Sequence, residues 1–177
     1  MVRGFTLIEV LVVISIVGIL MAIVLANFSD ARKNARDKVR KSELKELQLA
    51  LEVYKSQYGQ YPAQGCGAPG AGWSGPGPHS AGWGISCEEY IVGLVPSFIG
   101  ALPKDPNQEN VDNTGMLYMT DASRQAYKVL VHRSVETNFV ASFEDEFSRC
   151  PRSCGSCAAP GDNANVYGVY SLGAECW

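Results

Sequence analysis

Residues 5–28 form an almost unbroken apolar run, in which Glu9 is the only formal charge between Arg3 and Asp30. Val10 to Ala26 holds no charge and only Ser15 as a polar side chain. That stretch makes about 25 Å of helix, slightly short of a bilayer, and Phe5 to Ile8 with Phe28 complete the span. Gly18 lowers helix propensity there by about 1 kcal/mol relative to alanine. Residues 29–58 contain no proline or glycine, so the helix is expected to continue. Ala31, Ala35, Val39 and Ser42 make a thin stripe of small residues among charges. Leu44, Leu47, Ala50, Leu51, Tyr54 and Tyr58 then form a thicker stripe at helical spacing, suited to packing on a sheet. A solvated coiled coil would show the same start, but two or three heptads are too few to argue for it.

Gly59 and Pro62 end this pattern. Residues 62–86 carry eight glycines and four prolines and predict a loop without helix or sheet. Residues from Cys87 to Pro106, CEEYIVGLVPSFIGALPKDP, predict a short helix and then an apolar connector through Leu94, Phe98, Ile99 and Leu102. Met116 to Thr120 and Ala126 to Arg133 alternate as strands about the turn DASRQ, and Val166 to Leu172 predicts another. NFVASFEDEF fits strand or helix equally. The fold class is α+β: one long helix, its second half packed on a small antiparallel sheet of three or four strands, with a loop-rich C-terminal region.

Charge divides the chain again. Residues 1–61 hold nine Lys/Arg and six Asp/Glu, residues 62–177 six and twelve, so neither part resembles a nucleic-acid binder. All six cysteines, Cys66, Cys87, Cys150, Cys154, Cys157 and Cys176, lie beyond residue 60. An even count after an apolar N-terminal segment points to disulfides in an oxidising compartment, each contributing roughly 2–4 kcal/mol. Cys66 and Cys87 bracket the Gly/Pro loop and are expected to pair, with the other four paired among themselves. The positive-inside rule disagrees: Lys and Arg at 32, 33, 36, 38, 40 and 41 follow the span and would place the head in the cytoplasm. The cysteines outweigh it. A cleaved signal peptide ending near Ala26 is the competing reading of the apolar run, and Glu9 stands against it.

RGFTLIEVLVVISIVGILMAIV resembles the leader and mature start of type IV pilins and of type II secretion pseudopilins. YGQYP and LPKDP resemble phrases that close the long helix and precede the sheet in that family. The resemblance implies a leader, residues 1–4, cut at Gly4–Phe5 by a prepilin peptidase that then methylates the Phe5 amine. It implies that Glu9 pairs with the terminal amine of a neighbouring subunit. A buried carboxylate paired in this way recovers much of its desolvation cost, and the pair penalises one-turn slips between apolar helices. The implied organisation is a membrane and filament-core helix over 5–28, an amphipathic helix over 29–58 and an extracytoplasmic head over 59–177. Implied partners are further copies of the chain and related pilins, the peptidase, a membrane assembly platform and, before assembly, the lipid bilayer; no nucleic acid is inferred. The chain would be a single-pass inner-membrane protein, N-terminus cytoplasmic, before entering a surface or periplasmic filament.

Other constellations carry less. Asp105, Asn107, Glu109 and Asp112 offer oxygen ligands, and some pseudopilins bind calcium in their heads, but the spacing is not an EF-hand. CPRSCGSC has the cysteine spacing of radical iron–sulfur enzymes, and Cys176 could complete a zinc site; disulfides suit the compartment better. His79 and His132 have no evident serine or cysteine partner, and FEDEF reads as a solvated face. Trp73 and Trp83 fit either a surface contact or a fold-back onto the domain. The sequence predicts no enzyme and no resident cofactor. It favours a pilus subunit for adhesion, motility or DNA uptake, because the cysteine-rich tail at 150–177 looks like an outward decoration. The alternative is a secretion pseudopilin, and the remoter one a secreted, disulfide-rich binding module.

Overall fold

The structure, a computed structural model, describes residues 4, 6–79, 84–106, 111–155, 157, 160 and 165–177, with the side chains of 24–27 excepted. One helix, α1, runs from Leu7 to Tyr58 without interruption at Gly18. Its 52 residues span about 78 Å. Gly59 closes it in the left-handed conformation (φ 75°), its N–H donating to the Lys55 carbonyl at 2.7 Å. The large apolar side chains from Leu7 to Ile23 are 50–82% exposed, an uncovered length that water does not tolerate. Past Arg36 one face of α1 becomes buried.

Among the described residues five strands form the sheet: β1 (Trp73–Gly75), β2 (Gly84–Ser86), β3 (Gly115–Thr120), β4 (Tyr127–His132) and β5 (Tyr167–Tyr170). Their order is β2-β1-β3-β4-β5. β1 and β2 are parallel and the other pairs antiparallel. The register Met116↔Val131, Tyr118↔Val129 and Val131↔Tyr167 puts alternate apolar residues on one face. There they close a core with Leu44, Leu47, Ala50 and Leu51 of α1, as the helical stripe predicts. The β3–β4 turn is fixed by Asp121, whose carboxylate accepts from the N–H groups of Ser123, Gln125 and Ala126.

Several expectations are corrected. The Gly/Pro-rich loop does contribute to the sheet, through β1 and β2, so the sheet has five strands and one parallel pair. Glycine permits this rather than preventing it. A Cβ on Gly75 would collide with the Met116 carbonyl oxygen, and one on Gly84 would stand 3.0 Å from that of Trp73. The Cys66–Cys87 bridge ties the two ends of the excursion together. The expected short helix after Cys87 is a succession of turns. Gly93 (φ 74°) leaves the helical region and Pro96 lacks an N–H, so only one helical turn, Phe98 N–H to Leu94 carbonyl, survives. NFVASFEDEF is neither strand nor helix; it runs through turns that bury Val140 and Phe147.

The second face of β4 is also covered. Leu130 packs with Leu117, Val166 and Trp73, so Trp73 folds back onto the sheet; Trp83 lies outside the described residues. Lys128 is wholly buried, its ammonium donating to the main-chain oxygens of Glu175 and Trp177, each at 2.9 Å. Burial, with Arg149 nearby, pushes its pKa down to about 7, against the pull of Glu175. Bridges Cys150–Cys157 and Cys154–Cys176 hold the tail across this face.

Candidate assembly segment and the helix–head junction

The N-terminal segment is organised around Thr6 and Glu9. Thr6 is the N-cap of α1, its hydroxyl oxygen accepting from the Glu9 N–H at 3.3 Å. Glu9 reaches back, one oxygen accepting from the Thr6 N–H at 2.8 Å and the Thr6 hydroxyl at 2.7 Å. This reciprocal box satisfies donors that the first helical turn leaves open. Among the described residues nothing bonds the second oxygen, and the residue is exposed. The sequence carried the signal, since T-L-I-E before an apolar run is the capping-box pattern. Gly4 is exposed, with nothing within 4 Å of where a Cβ would stand. Phe5 lies outside the described residues.

The head meets the helix through charge before it meets it through apolar packing. Asp37 and Arg40 are buried, although periodicity singles out neither. Arg40 donates to both oxygens of Asp105, at 2.6 and 3.2 Å, to Asp37 at 2.8 Å and to Glu136 at 3.1 Å. Asp37 accepts from the N–H groups of Glu136 (3.1 Å), Thr137 (2.8 Å) and Asn138 (3.0 Å), and from the Thr137 hydroxyl. Burial pushes the Asp37 carboxyl up, but these donors outweigh it and hold it below the usual carboxylate range. Burial likewise opposes the Arg40 charge, and its carboxylate partners override it, raising its pKa. Arg36 pairs with Glu136. One anion therefore binds a loop of the head by its backbone while one cation gathers three acids. D-x-x-R was visible in the sequence; partners 65 and 99 residues away were not.

Two further cations after the span, Lys41 and Lys45, also engage the head. Lys41 stands over the rings of Phe147 and Tyr167, and Lys45 pairs with Glu146 at 2.9 Å. Of the calcium candidates, Asp105 has both oxygens on Arg40, Asp112 is exposed, and Asn107 and Glu109 lie outside the described residues. Among the described residues no group of three His, Cys, Asp or Glu could hold a metal. The six cysteines form the three bridges described above. The Nε2 atom of His79 faces the Gly75 carbonyl at 3.3 Å, and Nδ1 of His132 faces that of Asn113. In FEDEF, Asp145 caps a turn through the Phe147 N–H at 2.9 Å.

The sequence family described as the prokaryotic N-terminal methylation motif matches residues 1–25. The type II secretion system core protein G of Pectobacterium carotovorum subsp. carotovorum is 38% identical over 61 residues, 34% of this chain and 39% of that protein. The motif and these relatives support assignment to the pilin and pseudopilin family. Core protein G of Aeromonas hydrophila is 41% identical over 59 residues, 33% of this chain and 41% of its own. The type IV major pilin protein PilA of Myxococcus xanthus (strain DK1622) is 39% identical over 59 residues, 33% and 27% respectively. The chain thus spans about two fifths of the length of the core G relatives it matches. No solved structure matches. The similarity to these relatives covers about a third of the chain's length.

Proposed function

We propose that this chain, a prepilin-like structural subunit and not an enzyme, is a pseudopilin that assembles into the short filament of a protein secretion system. The observation that carries the reading is the methylation motif at residues 1–25 joined to relatives that are mostly core G proteins of type II secretion. The preference for a surface pilus drawn from the cysteine-rich tail gives way to that comparison. The motif supports cleavage at Gly4–Phe5 and methylation at Phe5. The exposed Gly4, whose lack of a side chain the fold does not need, supports recognition by a peptidase.

Glu9 serves assembly in this reading. The Thr6 box occupies one carboxylate oxygen and leaves the other for the amine of a neighbouring subunit. The head lies outside the cytoplasm. Supporting that side are three disulfides, and the engagement of Arg36, Arg40, Lys41 and Lys45 by head carboxylates and rings, which removes much of the cationic bias after the span. Deleting the gene should abolish secretion of exoproteins and leave surface pili intact; loss of pili with normal secretion would overturn the pseudopilin assignment. Glu9→Ala should insert normally and reduce cross-linked multimers at least tenfold, and normal multimers would remove the role given to that residue.

A further inference from the structure

Arg32, Arg36 and Arg40 stand at four-residue steps on one face of α1. The head fills two of these positions. Arg40 is enclosed by Asp37, Asp105 and Glu136, and Arg36 pairs with Glu136 while its side chain stays 39% exposed. Arg32 lies one turn nearer the apolar run. Among the described residues no carboxylate reaches it, and its guanidinium stands 4.8 Å from the centre of the Phe28 ring. Phe28, Ser29, Arg32 and Arg36 line an open groove of about 340 Å³.

The position of this groove identifies its occupant. At 1.5 Å per residue, Arg32 sits about 9 Å beyond Ala26, close to the headgroup layer when the apolar run fills the hydrocarbon. Helical side chains lean towards the N-terminus, here towards the membrane, which brings the guanidinium lower still. Phe28 closes the apolar span directly below the guanidinium. Lys33, the other cation at this level, is 3.6 Å from Asp30.

The geometry points to a site for the phosphate of an anionic phospholipid in the leaflet from which α1 emerges, held by Arg32 with Ser29 and the exposed edge of Arg36. A guanidinium donates two parallel hydrogen bonds to a phosphate, and the Ser29 hydroxyl supplies a third donor. Glu136 already neutralises most of Arg36, so the site takes one phosphate and not a polyanion. The arginine row is thus completed by acid throughout: from the head at its upper positions, from lipid at the lowest. Extraction into a filament breaks that last contact and leaves the other two. This rests on α1 spanning the bilayer with the head beyond it.

The test is the full chain in phosphatidylcholine nanodiscs titrated with phosphatidylglycerol, with bound anionic lipid counted by native mass spectrometry. The wild type should retain one phosphatidylglycerol with about fivefold higher affinity than Arg32→Gln, the factor expected for one basic side chain at an anionic surface. Lys38→Gln, which removes an exposed cation outside the groove, should bind like the wild type. Equal binding by Arg32→Gln, or an equal loss in Lys38→Gln, would overturn the site in favour of diffuse attraction. Displacement of the lipid by an equal concentration of soluble glycerol phosphate would assign the groove to a free phosphate instead. Failure to insert into neutral nanodiscs would overturn the membrane-spanning reading itself, a result distinct from insertion without selective lipid.

Discussion

Arg40 joins three separate carboxylates, and its removal would leave Asp37 and Asp105 buried without their cation. Breaking a buried pair from one side costs roughly 3–5 kcal/mol, because an uncompensated charge stays behind. Arg40→Ala should therefore lower the stability of the full chain in detergent by that amount, measured by urea unfolding; a change within experimental error would show that the junction is not buried in solution. Asp37 adds a pH dependence whose sign follows from its lowered pKa. Its unfolded carboxyl titrates near 3.9, so the stabilisation is complete above about pH 4 and is lost as pH falls through the lower folded value. Asp37→Asn should be less stable than the wild type at neutral pH, and the difference should shrink as acid protonates the native carboxylate. A constant gap down to the acid limit would contradict the hydrogen-bonded anion.

Elements differ in how much of them the sequence carries. The long helix, its Leu44–Leu51 stripe, the β3–β4 hairpin and β5 are legible because local periodicity and turn chemistry agree with burial. Strands β1 and β2 are not, since glycine and proline argue against sheet unless the backbone must approach another strand closely, and that need exists only in three dimensions. Gly75→Ala tests the point. Its Cβ would collide with the Met116 carbonyl, so the β1–β3 pairing should open and expose the Cys66–Cys87 excursion to proteolysis, while Gly100→Ala, where a Cβ meets nothing within 4 Å, should not. Equal protease resistance would contradict the register. At the candidate site, the motif from Gly4 to Glu9 is local and readable, and the capping box was present in its spelling. The Asp37–Arg40 junction was hidden because its partners are joined by tertiary contact alone. A charged pair on a helix otherwise reads as a solvated face.

The whole molecule is two-part by its surfaces. From Leu7 to Ile23 it exposes apolar side chains along every face of one helix, and beyond Arg36 it is a head closed by an apolar core, an ionic junction and three disulfides. The exposed apolar length of the first part calls for an apolar surrounding, and the second is closed by its own core and three disulfides. A helix able to exchange bilayer for neighbouring helices needs a terminus that neighbours can read, which is the role given to Glu9 and the amine released at Phe5. Mass spectrometry of the N-terminal peptide from the assembled protein tests this most directly. The account predicts a first residue of N-methylated Phe5 with residues 1–4 absent; assembled protein that keeps those residues, or begins near Asn27, would contradict it.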